Sequence, residues 1–230
     1  MQRISALMRP FSLSDIPSEV RERTARAYRE HEERERERVW RERLERSQIP
    51  EEFQGASIDL FPALKSWASG FGERKDEKPE GNILLLGIAG CGKTYTACGI
   101  ALTALRGCPS VRFVTASSYL RELREAMDGR AVQADVFSRY ASCKLLILDD
   151  LGKGNPTEWS AESFFDLINK RQESGKRTVI TTQYNERTLA RRISAGSDIE
   201  TAQALTSRLF ARNGTWEQIV PGNVDRRRHG

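Results

Sequence analysis

Between Gly87 and Thr94 the sequence GIAGCGKT sets glycines, a lysine and a hydroxyl residue at the G-x-x-x-x-G-K-[ST] spacing. Glycines let successive backbone N–H groups turn inward around an anion, a helix starting there offers its positive end, and a lysine adds a mobile cation. The chemistry implied is binding of a nucleoside triphosphate, ATP above all, by Gly87, Ala89, Gly90, Cys91, Gly92 and Lys93, with Tyr95 beside them. Thr94 would then give its hydroxyl to a Mg²⁺ ion travelling with the phosphates.

Further along, LLILDD (residues 145–150) is an apolar run ending in two carboxylates. Placed at the C-terminal end of a strand, Asp149 suits the hydration shell of Mg²⁺ and Asp150 suits polarising an attacking water. One acidic residue after a strand is a common turn feature. Two of them, following the phosphate loop in this order, point to hydrolysis. Gln183, just after the β-branched run Thr178–Thr182, adds an amide able to orient water.

These residues need elements to hold them. Ile83–Leu86 reads as a buried strand before the phosphate loop, and KTYTACGIALTALR as the helix after it. Val111–Thr115, Leu145–Leu148, Thr178–Thr182 and Trp216–Val220 read as further strands, with helices over 117–128, 131–141, 157–173, 187–193 and 200–212 between them. Strands alternating with helices predict an α/β fold: a five-stranded parallel sheet in a three-layer αβα domain, with ligands at the strands' C-terminal ends. All the site motifs fall at such ends.

Ahead of this body, SEVRERTARAYREHEERERERVWRERLERS alternates glutamate and arginine and predicts a long helix. Pairs at i, i+4 recur, namely Glu30–Arg34, Glu32–Arg36, Glu37–Arg41 and Glu42–Arg46. Its charges nearly cancel, so it is a solvated spacer rather than a basic arm. Residues 1–16 put Ile4, Leu7, Met8 and Phe11 on one helical face, suited either to a partner's groove or to the protein's own core. Residues 1–48 are therefore read as a partner-binding segment and spacer, and residues 49–230 as the nucleotide-handling domain. In the latter, Leu60–Ser69 is read as a short helix and residues 73–80 as a charged linker.

Composition excludes several classes. No apolar run is long enough to span a bilayer, and Arg9, Pro10 and Asp15 interrupt the N-terminus, so no membrane contact is expected and the cytoplasm is the expected compartment. Four cysteines without a C-x-x-C pair, beside two histidines, support neither zinc nor a disulfide framework. Cys91 is the one thiol expected to be reachable by alkylation. A net charge of +5, set against 37 basic and 32 acidic residues, decides little about nucleic acid.

Taken together, NILLLGIAGCGKTYTACGIA, KLLILDDLGKGNPTEWSAESFFDLINKR, TVITTQYN and ALTSRLFARNGTWEQIV resemble, in order and spacing, the AAA+ ATPases of the DnaC/IstB group. The likeness runs over roughly residues 49–228. It implies an ATPase that forms a homo-oligomer when ATP-bound, with Arg208 of the S-R-L triplet as an arginine finger reaching a neighbour's γ-phosphate. It also implies single-stranded DNA contact by Ser117, Ser118, Tyr119, Arg121 and Arg124, where arginines would track the backbone and the tyrosine would stack. The partner implied is a replicative DNA helicase, to be loaded, or a transposase, to be helped. Two readings from other classes stay open, an ATP-switched adaptor with negligible hydrolysis and a small-molecule kinase. Gln183 stands where the group usually has Asn, and the chain is expected to lack a full C-terminal helical lid. Arg226 and Arg227 match arginines near the group's C-terminus.

Overall fold

The computed structural model describes residues 17–73, 81–129, 132–195, 199–210 and 215–219. The face of Ile4, Leu7, Met8 and Phe11, most of the charged linker, Val220 and the Arg226–Arg227 tail lie outside them. The chain divides between Glu42 and Arg43 into two units.

Helix α1 (Ser18–Ser47) starts in the first unit, where it carries Val20 and Tyr28 exposed to solvent. Charge pairs lace it: Arg26 with Glu30, Arg36 with Glu32, and Arg38 with both Glu35 and Glu42. Glu30 thus pairs back toward the N-terminus, where the sequence suggested Arg34. Such exposed i, i+3 and i, i+4 pairs support a helix without a core.

The second unit begins ahead of the 48/49 boundary expected from the sequence, because the last turn of α1 is built into it. Arg43 donates to the carbonyls of Leu105 and Arg106, and Ser47 and Ile49 are buried. Next come a 3₁₀ turn at Glu51–Phe53 and helix α2 (Pro62–Glu73). Between them Ile58 lies so close over helix α3 (Lys93–Gly107) that a Cβ at Gly99 would sit 2.7 Å from its Cγ2. Glycine in the middle of that helix is therefore a packing requirement.

The sheet order is β2-β3-β4-β1-β5, all parallel, with β1 Asn82–Leu86, β2 Val111–Thr115, β3 Leu145–Asp149, β4 Arg177–Thr182 and β5 Thr215–Ile219. Leu84, Leu86, Leu146, Leu148 and Ile180 join one core with helices α4 (Ala116–Met127), α5 (Gln133–Ser142), α6 (Glu158–Glu173), α7 (Glu186–Ser194) and α8 (Ile199–Phe210). Ile83, Leu85, Ile147 and Val179 are equally buried and alternate to the other face, where α3 packs. The sheet is covered on both sides, which explains why its central strands read as continuous apolar runs.

One buried charge ties the sheet's other end together. Arg171 of α6 is fully buried and donates to the carbonyls of Tyr140, Cys143 and Arg177 and to the Thr178 hydroxyl. It joins the end of α5 to the starts of β3 and β4, meeting the rule that a buried ion must be saturated with hydrogen bonds. With their N-terminal ends locked, the C-terminal ends of β3 and β4 are held beside that of β1.

Candidate nucleotide-binding site

The cleft at those C-terminal ends has a volume of about 360 Å³ and is walled by Ala89, Gly90, Gly92, Lys93, Thr94, Tyr95, Asp150 and Gln183, together with Phe53 and Lys153. The strand order explains the convergence. Because β4 lies between β1 and β3, Gln183 after β4 stands between the phosphate loop after β1 and the two aspartates after β3.

In the loop, Gly90 and Gly92 have φ of 78° and 101°, a backbone turn that an L side chain resists. Lys93 donates its ammonium to the carbonyls of Gly87 and Ile88 at 2.9 and 2.8 Å, which ties its long stem back over the loop. Cys91 is 1% exposed, its sulfur 3.9 Å from that ammonium, so the alkylation expected from the sequence finds no accessible thiol. Tyr95 accepts a hydrogen bond from the Ser57 amide and so fastens the entry segment to the first turn of α3.

On the cleft floor, Asp149 is 4% exposed and accepts from two hydroxyls, Thr94 Oγ1 at 3.0 Å and Thr181 Oγ1 at 2.6 Å. Burial pushes its carboxyl above the usual carboxylate range, and the neighbouring Asp150 charge adds to this. The two hydroxyls and Lys93 pull the other way without reversing it. A divalent cation would remove the cost of that buried charge. No group of three or more His, Cys, Asp or Glu is assembled as metal ligands among the described residues. The donor set of Thr94 hydroxyl and Asp149 carboxylate therefore fits Mg²⁺ arriving with phosphates and retaining much of its water.

Asp150 is built differently. Its φ is 58°, in the left-handed region, and its backbone N–H donates to Thr181 Oγ1 at 2.9 Å. Thr181 thus serves both aspartates, accepting from the backbone of one while donating to the side chain of the other. The left-handed step turns the Asp150 side chain out to the cleft, 41% exposed and paired with Lys153 at 3.1 Å. Gln183 donates from Nε2 to the Tyr184 hydroxyl at 3.0 Å.

Arg208 does not line the cleft of its own chain. Its guanidinium stacks on Phe165 of α6, 4.5 Å from the ring centre, while Nε donates to Asn169 and Nη1 to the Ala204 carbonyl. In α4 the sequence-based DNA face needs correction at Tyr119. That ring is fully buried, edge-on to Tyr140 and near Phe164, so no base can stack on it. Ser118 is spent at the helix N-terminus, its N–H donating to Thr115 Oγ1 and its hydroxyl accepting from Arg121. Arg121 and Arg124 are exposed, the latter over the Trp159 ring.

Phe53, Lys153 and Thr181 were missed by the sequence reading. Only Thr181 carried a signal, as a polar residue closing a buried strand beside a carboxylate strand.

Known proteins share this architecture. The ATP-binding protein of insertion sequence IS232 from Bacillus thuringiensis subsp. berliner is 33% identical over 104 residues, which are 45% of this chain and 41% of that protein. The chain thus spans about two-fifths of that relative's length. The solved structure of DnaI superposes with a TM-score of 0.58 at 20% identity, over 77% of this chain and 94% of that one. The DnaC helicase loader does so with a TM-score of 0.54 at 18% identity, over 75% and 100%. These two likenesses speak to fold alone. Among the described residues no helix is long and apolar enough to cross a membrane. The model for IstB-like ATP-binding proteins matches residues 72–227, most of the chain, and with the phosphate loop and Asp150 lining one cleft and Asp149 bonded to Thr94 of that lining, this chain belongs to that family and carries its AAA+ P-loop α/β fold.

Proposed function

We propose that the protein is an ATP-hydrolysing loader that assembles into an oligomer on ATP, grips single-stranded DNA and delivers a replicative DNA helicase. The observation supporting turnover is a single cleft in which Lys93, Thr94, Asp149, Asp150 and Gln183 converge. Mg²⁺ bound with ATP would neutralise the phosphate charge. Lys93 and the loop amides would hold the phosphates, Thr94 and Asp149 would hold the ion beside them, and Asp150 would accept a proton from the attacking water while Gln183 orients it. Arg208, carried on α8 away from its own cleft, acts in the cleft of the next subunit, so turnover depends on assembly. DNA is held electrostatically by the exposed Arg121 and Arg124.

A second reading has its own support. The relative from IS232 belongs to an insertion sequence, which favours a transposase as the partner of the same ATPase body. Residues 1–42, outside the family match, are the part free to choose between them. The test is co-purification of the full chain with a hexameric helicase and with a transposase, each with and without a non-hydrolysable ATP analogue. ATP-dependent capture of the helicase supports loading, capture of the transposase alone replaces it with the second reading, and capture of neither refutes both. An Asp150→Asn variant that still delivers its partner without turnover would turn the loader into an ATP-switched adaptor.

A further inference from the structure

The cleft holds a second lysine that no phosphate-loop motif demands. Lys153 sits in the turn after β3, lines the same cleft as Asp150 and Gln183, and pairs its ammonium with Asp150 at 3.1 Å. A surface lysine pairing with a nearby carboxylate is by itself unremarkable. What sets this one apart is how firmly its backbone is held.

The turn is pinned on every side. Leu151 donates its N–H to the Thr181 carbonyl and accepts from the Thr182 hydroxyl. Gly152 has a φ of 91°, and a Cβ there would lie 2.8 Å from both Leu189 and Tyr184, so the turn is pressed against α7 and the end of β4. Arg192 of α7 then donates to the carbonyls of Gly152 and Gly154, one on either side of Lys153, while its guanidinium lies over the Tyr184 ring at 5.1 Å. Tyr184 in turn accepts from Gln183. One arginine thus fixes both the turn that carries Lys153 and the neighbour of the amide expected beside the terminal phosphate.

We propose that Lys153 is a sensor for the third phosphate of the nucleotide, kept within reach of it by the Arg192 clamp. This rests on the reading of the cleft as an ATP site with Asp150 as the water-polarising group. Lys153 walls the cleft together with Asp150 and Gln183, the two groups assigned to the hydrolysed phosphate, and is paired with the first of them, whereas the Lys93 ammonium is tied to the phosphate loop itself. A triphosphate brings more negative charge to that wall than the single carboxylate Lys153 now faces, and the exposed pair with Asp150 is weak enough to exchange. The ammonium therefore moves from Asp150 to the third phosphate, and Asp150 is released to the water. A diphosphate ends short of this wall and leaves the pair intact. A lysine suits the task because its flexible stem serves two positions, and the rigid turn beneath confines it to those two.

The test is equilibrium binding of a non-hydrolysable ATP analogue and of ADP, both with Mg²⁺, to the full chain and its variants. Lys153→Ala should weaken the ATP analogue about tenfold, the scale of one charge-assisted contact, and leave ADP within about twofold. Lys153→Arg should retain most of the preference for the triphosphate. Arg192→Ala should show the same selective loss, and the double variant should lose no more than either single one, since both act through one contact. A merely structural role for Arg192 would weaken ATP and ADP together. Equal losses for both nucleotides in Lys153→Ala, or no loss for either, would overturn the proposal. Faster hydrolysis with unchanged affinity for the analogue would also overturn it, making Lys153 only a brake on Asp150. The parent protein binding neither nucleotide, or Lys93→Ala binding both normally, would instead refute the ATP-site reading beneath it.

Discussion

Asp149 and Asp150 are neighbours in sequence and opposites in construction. The first is buried on the cleft floor, the last residue of a strand, with two threonine hydroxyls on its carboxylate. The second is turned out to the rim by a left-handed backbone step and faces an exposed lysine. The floor is made of β1 and β3 ends and the start of α3, where the Lys93 ammonium, the Thr94 hydroxyl and the Asp149 carboxylate each have an internal partner. The rim is made of turns, Asp150–Gly154 and Gln183–Asn185, from which Asp150, Lys153 and Gln183 line the cleft. A floor of this kind fixes where phosphates go, and a rim of this kind is free to respond to which phosphates are there.

The largest effect should come from the floor. Lys93→Ala removes the cation that closes over the loop, and nucleotide affinity should fall by about a hundredfold or more, as for loss of a charge-assisted contact to a multiply charged ligand. Titration with a fluorescent ATP analogue measures it, and near-parental affinity would erase the distinction between floor and rim. Next is Thr181→Val, which keeps the side chain's shape while leaving the Asp150 amide and the Asp149 carboxylate each short of a partner. The expected loss is about 1–3 kcal/mol in urea unfolding, a large share of the roughly 5–15 kcal/mol that a domain has. Retained stability would mean that the two aspartates are held independently.

The floor was legible in the sequence because its chemistry is local. Gly87–Thr94 and the apolar run ending at Asp149 each announce strand, turn and ligand type within a few residues. The rim was not, because its groups meet through the strand order β3-β4-β1, which no local pattern encodes. Lys153 looked like one charge among many, and Phe53 reaches the cleft from before the phosphate loop. Tyr119 failed for a related reason: a Ser-Ser-Tyr-x-Arg helix start looks like a polar face, but Leu123 and Ala126 share the tyrosine's side of α4 and turn it into the core. Arg171 was equally hidden, since nothing in its neighbourhood along the chain shows that four carbonyls will converge on it.

A smaller effect is the dependence of the floor on pH through Asp149. Burial raises the Asp149 pKa, so the folded protein keeps that proton to a higher pH than the unfolded chain does. Stability from this group is greatest below the unfolded value of about 3.9, declines as pH rises through the raised folded value, and stays lower above it. Asp149→Asn removes that decline while preserving an oxygen that the two hydroxyls can reach. Without added metal the variant should therefore melt higher than the parent at pH 7, with the gap closing as the solution is acidified. With Mg²⁺ and ATP the order should reverse, because only the carboxylate can use the ion. A variant less stable than the parent at pH 7 would mean that the floor's hydroxyls, and not burial, decide the energy of Asp149.

The smallest effect belongs to the rim. Gln183→Asn shortens the amide by one methylene and releases its bond to the Tyr184 hydroxyl, but Tyr184 stays stacked under Arg192. Stability should change by no more than about 0.5 kcal/mol, as for a surface substitution away from buried features. Turnover should change by a few-fold while ATP affinity holds, because an amide that only orients water contributes in the transition state and little in the ground state. Loss of ATP affinity on this substitution would show that the amide bears on the phosphates themselves, and the rim would then belong to the binding floor.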